Sequence, residues 1–136
     1  MMCPIPEVLR FLNYVDADFR PALSDKTVLE DFAAKICELA HPIIRRNDEG
    51  IYGLVVLYCN DLVMHRAYIS LVGVKEEYRG RGVAKDMMQE AMSVAKAAGM
   101  TKIGIHSNNP NAVALYANLG FEIIEDGERK YMEYEL

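Results

Sequence analysis

A chain of 136 residues with 51% hydrophobic and 26% charged residues can bury roughly two-thirds of its unfolded surface in one domain, residues 1–136, and has the composition of a soluble globule. A net charge of −5 argues against a general nucleic-acid or anionic-membrane binder, because such proteins need a basic excess to release counterions. Cys3, Cys37 and Cys59 are odd in number and show no CxxC or Cys/His spacing, so neither a disulfide framework nor a metal site is expected, and they read as reduced thiols in a cytoplasmic protein.

The N-terminal stretch MMCPIPEVLRFLNY has no basic leader or long apolar core, and nothing in it directs the chain out of the cytosol. In SDKTVLEDFAAKICELA, Ser24 or Asp25 is a plausible N-cap, and Val28, Leu29, Phe32, Ile36 and Leu39 recur at helical spacing until Pro42. PIIRR and IYGLVVLYC, separated by NDEG, predict a hairpin, and HRAYISLVGV predicts a further strand. A helix follows from about Gly82, its apolar stripe formed by Ala84, Met87, Met88, Ala91, Val94, Ala95 and Ala98, with Gly99 as its stop. MTKIGIHS predicts a strand, NNPNAVALYANLG a short helix ended by Gly120, and FEIIE, DG and RKYMEYEL a closing hairpin in which Met132, Tyr134 and Leu136 alternate. The order predicts a mixed α/β (α+β) domain around one central sheet.

The segment EYRGRGVA lies where a strand gives way to a helix. Helix N-termini carry unpaired amides and positive potential, glycines let a ligand approach the backbone, and arginines offer forked donors to phosphate. Arg79, Gly80, Arg81, Gly82, Val83 and Ala84 therefore form a candidate anion site. The spacing is not that of a P-loop, since no Lys-Ser or Lys-Thr follows, and position 85 is Lys, against a dinucleotide fingerprint.

YRGRGVA also fits the R/Q-x-x-G-x-G/A signature of the GNAT N-acetyltransferase superfamily, at Arg79, Gly82 and Ala84. Downstream, NPNAVALYANLGF resembles that family's N-x-x-A-x-x-L-Y-x-x-x-G-F signature, at Asn109, Ala112, Leu115, Tyr116, Gly120 and Phe121. The resemblance covers roughly residues 50 to 125. It implies a mostly antiparallel mixed sheet flanked by helices, with a splayed strand pair at a cofactor cleft. It also implies acetyl-coenzyme A as cosubstrate, its pyrophosphate on the amides of residues 79 to 84 and its pantetheine arm paired with the backbone of Val72 and Val74, with no metal required.

Acetyl transfer needs an uncharged amine, a polarised thioester carbonyl and a proton for the departing thiolate. Tyr116 lies where the family keeps its general acid. Ribosomal-protein acetyltransferases of the superfamily carry a glutamate twelve residues earlier, where this chain has Gly104. Strand alternation puts His106 on the same face, about 6.7 Å further along, and makes it the candidate base, with His65 a weaker rival. The expected acceptor is a primary amine of a small metabolite, an amino sugar among the options, met by the closing hairpin and by DADFRPALSDK, whose Asp16 and Asp18 could hold an ammonium. A protein N-terminus or lysine is the alternative acceptor, and a coenzyme A-binding module without turnover the alternative function. The closing hairpin is compatible with a monomer or a homodimer.

Overall fold

The computed structural model describes residues 3–136; Met1 and Met2, the start of the stretch examined for a leader, lie outside the described residues. The elements run α1 (Ile5–Val15), α2 (Leu29–Leu39), β1 (His41–Asn47), β2 (Gly50–Tyr58), β3 (Arg66–Val74), α3 (Val83–Ala97), β4 (Lys102–Ser107), α4 (Pro110–Asn118), β5 (Glu122–Asp126) and β6 (Lys130–Glu135). The six strands form one sheet in the order β1-β2-β3-β4-β6-β5. All its pairings are antiparallel except β3–β4, whose connection through α3 makes them parallel. No helix among the described residues is long and apolar enough to cross a membrane.

Each face of the sheet carries its own core. On one, α1 and α2 bury Val8, Phe11, Leu12, Val15, Ala33 and Ile36 against Ile51, Leu54, Val56 and Leu71. On the other, α3 and α4 bury Met87, Met88, Ala91, Ala95 and Tyr116 against Val55, Leu57, Ala67, Ile69, Ile103, Ile105 and Met132. The period-two alternation of β2–β4 and β6 is what feeds both layers. The α1/α2 layer takes no residue from β4, β5 or β6, so that part of its face is uncovered.

Two expectations need correction. The helix predicted from Ser24 or Asp25 begins at Leu29, with Val28 as an N-cap lacking a side-chain bond. Asp16 takes Ser24 first, accepting from its amide at 2.8 Å and its hydroxyl at 2.6 Å, and Leu23–Asp25 winds into a 3-10 turn instead. Val28 and Leu39 are consequently exposed, whereas Leu29 and Ile36 face the core. Second, Cys3 and Cys37 are not free thiols but a disulfide joining the start of α1 to α2, with Cα atoms 5.2 Å apart; Cys59 alone is free. The antiparallel packing of these helices brings together two cysteines whose spacing of 34 residues gives no local sign of pairing.

Candidate functional site

Strands β3 and β4 pair only from Arg66–Lys102 to Ile69–Ile105, and beyond that point they part. An irregularity in the β2–β3 register, where Val56 faces Leu71 and Leu57 faces Ile69, leaves Ser70 as the extra residue. Ser70 Oγ is the only fully buried side-chain oxygen among the described residues without a hydrogen bond. Burial raises the Tyr58 phenol, and Ser70 pulls it the other way, yet no bond of acceptable geometry joins the two. The amide of Lys75 donates to Tyr52 O, which fixes the parity of the ladder: residues 71, 73 and 75 aim their backbone groups at β2, and 72 and 74 aim theirs into the gap. The backbone of Val72 therefore faces a space where no strand pairs with it. The Val74 carbonyl, by contrast, accepts from Arg79 Nε at 2.9 Å.

Below the gap the chain turns through Glu76–Tyr78, and Gly80 and Gly82 follow at φ 75° and 78°. Gly82 is the N-cap of α3, and no side chain caps that end, so its first-turn amides have no protein partner of that kind. A Cβ at Gly80 or Gly82 would meet nothing within 4 Å, so the glycines border open space rather than packed side chains. This cradle of amides and positive helix potential fits a diphosphate. Arg79 is otherwise engaged: its Nε donates to Val74 O, its Nη2 binds Asp18 at 2.6 Å, and its amide donates to Glu76 O at 3.1 Å, so the amides open to a ligand begin at Gly80. Arg81 stacks its guanidinium over Tyr78 at 5.4 Å.

The segment after α1 reaches across the mouth of the gap. Asp18 holds Arg79 at the β3 end, while Arg20 O accepts from Asn108 at 2.9 Å at the β4 end. Asp16 and Asp18, expected to meet an acceptor amine, are thus spent on Ser24 and Arg79. Asn109 caps α4, its Oδ1 accepting from the amides of Asn111 at 2.9 Å and Ala112 at 3.3 Å.

Tyr116, on α4, is 4% exposed and packs against Phe121 with ring centroids 6.1 Å apart; burial raises its phenol well above the usual range. Its proton is therefore tightly held at neutral pH. His106 emerges on the opposite face, where the sheet lacks a helical cover. Its Nδ1 lies 2.8 Å from the Tyr68 hydroxyl, and its ring lies 4.7 Å from that of Tyr131. Burial and then the charge of Arg129 lower the imidazole below its ordinary value, opposed by Glu125. His65 sits outside this cluster, exposed in the loop before β3 at φ 53°.

Around His106 lies a pocket of about 400 Å³. Tyr58, Tyr68 and Tyr131 supply aromatic walls, and Asp61, Glu125 and Arg66 supply charge. The Tyr131 hydroxyl donates to Glu133 Oε2 at 2.9 Å, and burial with this bond pushes its phenol up to about 12. Tyr68, Tyr131 and Glu133 were not identified from sequence: alternation assigns them a face, but only the β3–β4 and β4–β6 registers put them beside His106.

A family model described as acetyltransferase (GNAT) family matches residues 9–121. Over 61 residues the chain is 41% identical to GCN5-related N-acetyltransferase 4, chloroplastic, of Arabidopsis thaliana, a match spanning 43% of this chain and 21% of that protein. Over 58 residues it is 34% identical to N-alpha-acetyltransferase 30 of Schizosaccharomyces pombe, covering 41% of this chain and 39% of the relative. The chain thus spans well under half the length of these curated relatives. Among solved structures, the PaiA N-acetyltransferase of Thermoplasma acidophilum in complex with coenzyme A superposes with a TM-score of 0.72 at 15% identity, over 100% of this chain and 97% of that one.

Proposed function

From the premise that the chain belongs to the GNAT acetyltransferase family, we propose that it transfers the acetyl group of acetyl-coenzyme A to a primary amine of a small metabolite by direct attack in a ternary complex. The observation that carries this reading is the juxtaposition of an uncapped α3 N-terminus, opened by Gly80 and Gly82, with a strand gap lined by the backbone of Val72. Acetyl-coenzyme A supplies the activated acyl group. The amides of residues 80 to 84 hold its diphosphate, the Arg79 amide being spent on Glu76 O, and the Val72 backbone, with the Val74 amide, pairs with the amide-bearing arm.

The remaining work falls to side chains. His106, kept neutral at pH 7 by its lowered pKa, accepts the proton of the acceptor's amine at Nε2 while Nδ1–H donates to Tyr68. Tyr116 gives a proton to the sulfur as the carbon–sulfur bond breaks and the carbon–nitrogen bond forms. The net proton passes from amine to thiol, so the step balances without metal or redox chemistry. The tyrosine-walled pocket around His106 has a volume suited to a small molecule, and Asp61 and Glu125 favour a cation there.

A protein N-terminus is the second reading, favoured by the similarity to N-alpha-acetyltransferase 30 and by the exposed Leu62, Val63 and Met64 beside the pocket residues Asn60 and Asp61. Thiol release from acetyl-coenzyme A measured with small amines and with short peptides separates the two. Turnover with peptides alone would overturn the small-metabolite reading, and coenzyme A binding without turnover on either panel would overturn catalysis altogether.

A further inference from the structure

We propose that Glu133 is a positioning residue for proton acceptance at His106, acting through the Tyr131 hydroxyl, and that Gly104 is the slot that makes this arrangement possible. The inference rests on the acetyltransferase reading for its chemistry and on the sheet register for its geometry. Gly104 stands where the family resemblance puts a glutamate, and the residue directly opposite it on β6 is Glu133. A carboxylate from the neighbouring strand therefore lies beside the vacated position.

Tyr131 is what joins that carboxylate to His106. It sits opposite His106 in the ladder, and its side chain folds back over Gly104. A Cβ at 104 would overlap the Tyr131 hydroxyl and come within 2.9 Å of two of its ring carbons. Only glycine lets the ring lie flat on the strand. In that position the hydroxyl donates to Glu133 Oε2 at 2.9 Å, and the Glu133 side chain is only 14% exposed, with Lys102 Nζ 3.9 Å from its other oxygen.

The imidazole is consequently held between two tyrosines, bonded to Tyr68 at Nδ1 and packed on Tyr131 at 4.7 Å. The bond to Glu133 removes the freedom of the Tyr131 ring to swing away, and with it the freedom of His106 to leave the pocket wall. Arg129 and Glu125 act on the imidazole by charge, while Arg66 faces Tyr131 and Tyr68 contacts Nδ1; Glu133 acts by holding a hydroxyl.

The experiment compares Glu133→Ala, Glu133→Gln, Tyr131→Phe and the double variant Glu133→Ala/Tyr131→Phe in the full chain. Thiol release is followed with glucosamine, 2-phenylethylamine and a short peptide as acceptors, and the His106 ring is followed by NMR. Glu133→Ala lowers kcat roughly tenfold at unchanged KM for acetyl-coenzyme A. Glu133→Gln restores most of that loss, because the amide oxygen accepts the same bond, and Glu133→Ala has no further effect once Tyr131 is Phe. The His106 ring signal shifts or broadens in Glu133→Ala but not in Glu133→Gln. The proposal is overturned if Glu133→Gln is as impaired as Glu133→Ala, if Glu133→Ala costs the same factor in both backgrounds, or if kcat and the ring signal are both unchanged. Absence of turnover by the unaltered chain on every acceptor defeats the acetyltransferase reading instead, and the ring signal still decides the positioning claim.

Discussion

Gly82→Ala, compared with Gly99→Ala, tests whether the α3 N-terminus binds a ligand. Gly82 and Gly99 flank opposite ends of α3 at φ 78° and 86°, and a Cβ at either meets no protein atom within 4 Å. Both substitutions therefore carry the same backbone strain, about 1–2 kcal/mol for an L-residue in the left-handed region, and neither adds a protein clash. With an unfolding entropy of about 0.3 kcal/mol/K for a chain of this length, each lowers the melting temperature by about 3–7 °C. The two diverge only in ligand binding. A methyl at Gly82 intrudes where the diphosphate sits, and losing one charge-assisted amide bond, about 1.5–3 kcal/mol, weakens coenzyme A binding at least tenfold. Titration calorimetry with coenzyme A on both variants, beside thermal melts, gives both numbers. Equal affinities for the two variants, whether both retained or both lost, would refute the idea that this end of α3 is a phosphate cradle.

Tyr116→Phe abolishes most turnover while coenzyme A affinity, measured by calorimetry, stays within about twofold, because a buried ring is kept and only its proton is removed. The low-pH limb of kcat/KM lies below the ordinary imidazole range, since His106 must be neutral to act and its pKa is lowered: activity rises as pH rises through that value. Arg129→Ala moves the limb up and Glu125→Gln moves it down, both shifts shrinking in high salt; shifts of the opposite sign in a pH–rate profile would remove His106 from the role. Cys37→Ser, or reduction of the unaltered chain, costs about 2–4 kcal/mol in denaturant unfolding, as expected for releasing a cross-link across 34 residues. Gly104→Glu lowers turnover rather than raising it, because the new side chain displaces Tyr131 before it can serve as a base; a faster enzyme in the thiol-release assay would contradict this.

The elements from β1 to β6 were legible because each is bounded by chemistry that acts locally. Gly50, Gly82, Gly99 and Gly120 all stand at positive φ where a turn or helix end was read, and the apolar alternation between them names the buried faces. The N-terminal third was less so. Val8, Phe11, Leu12 and Val15 carry a complete helical stripe, so the sequence holds a signal for α1 that the search for a leader does not use. Locally, Asp16 has the chemistry of a loop and Ser24 that of a cap, and their mutual bond, which sets the 3-10 turn and delays α2, spans eight residues that no local rule connects. The disulfide escaped for the same reason, since it depends on how α1 packs on α2.

The same distinction between local and cross-strand information governs the site. Residues of the proposed phosphate cradle are contiguous, so composition and spacing suffice to nominate them. The proposed proton acceptance instead draws on β3, β4 and β6, whose order puts the last strand beside the fourth and leaves the fifth at the edge. From β4 alone, Gly104 reads as a lost carboxylate. Across the ladder it is the position that admits the Tyr131 ring and faces Glu133. The proposed arrangement takes its carboxylate from the neighbouring strand, and it requires that position 104 be glycine. That condition is steric, which is why the residue at 104 and the residues at 131 and 133 have to be read together.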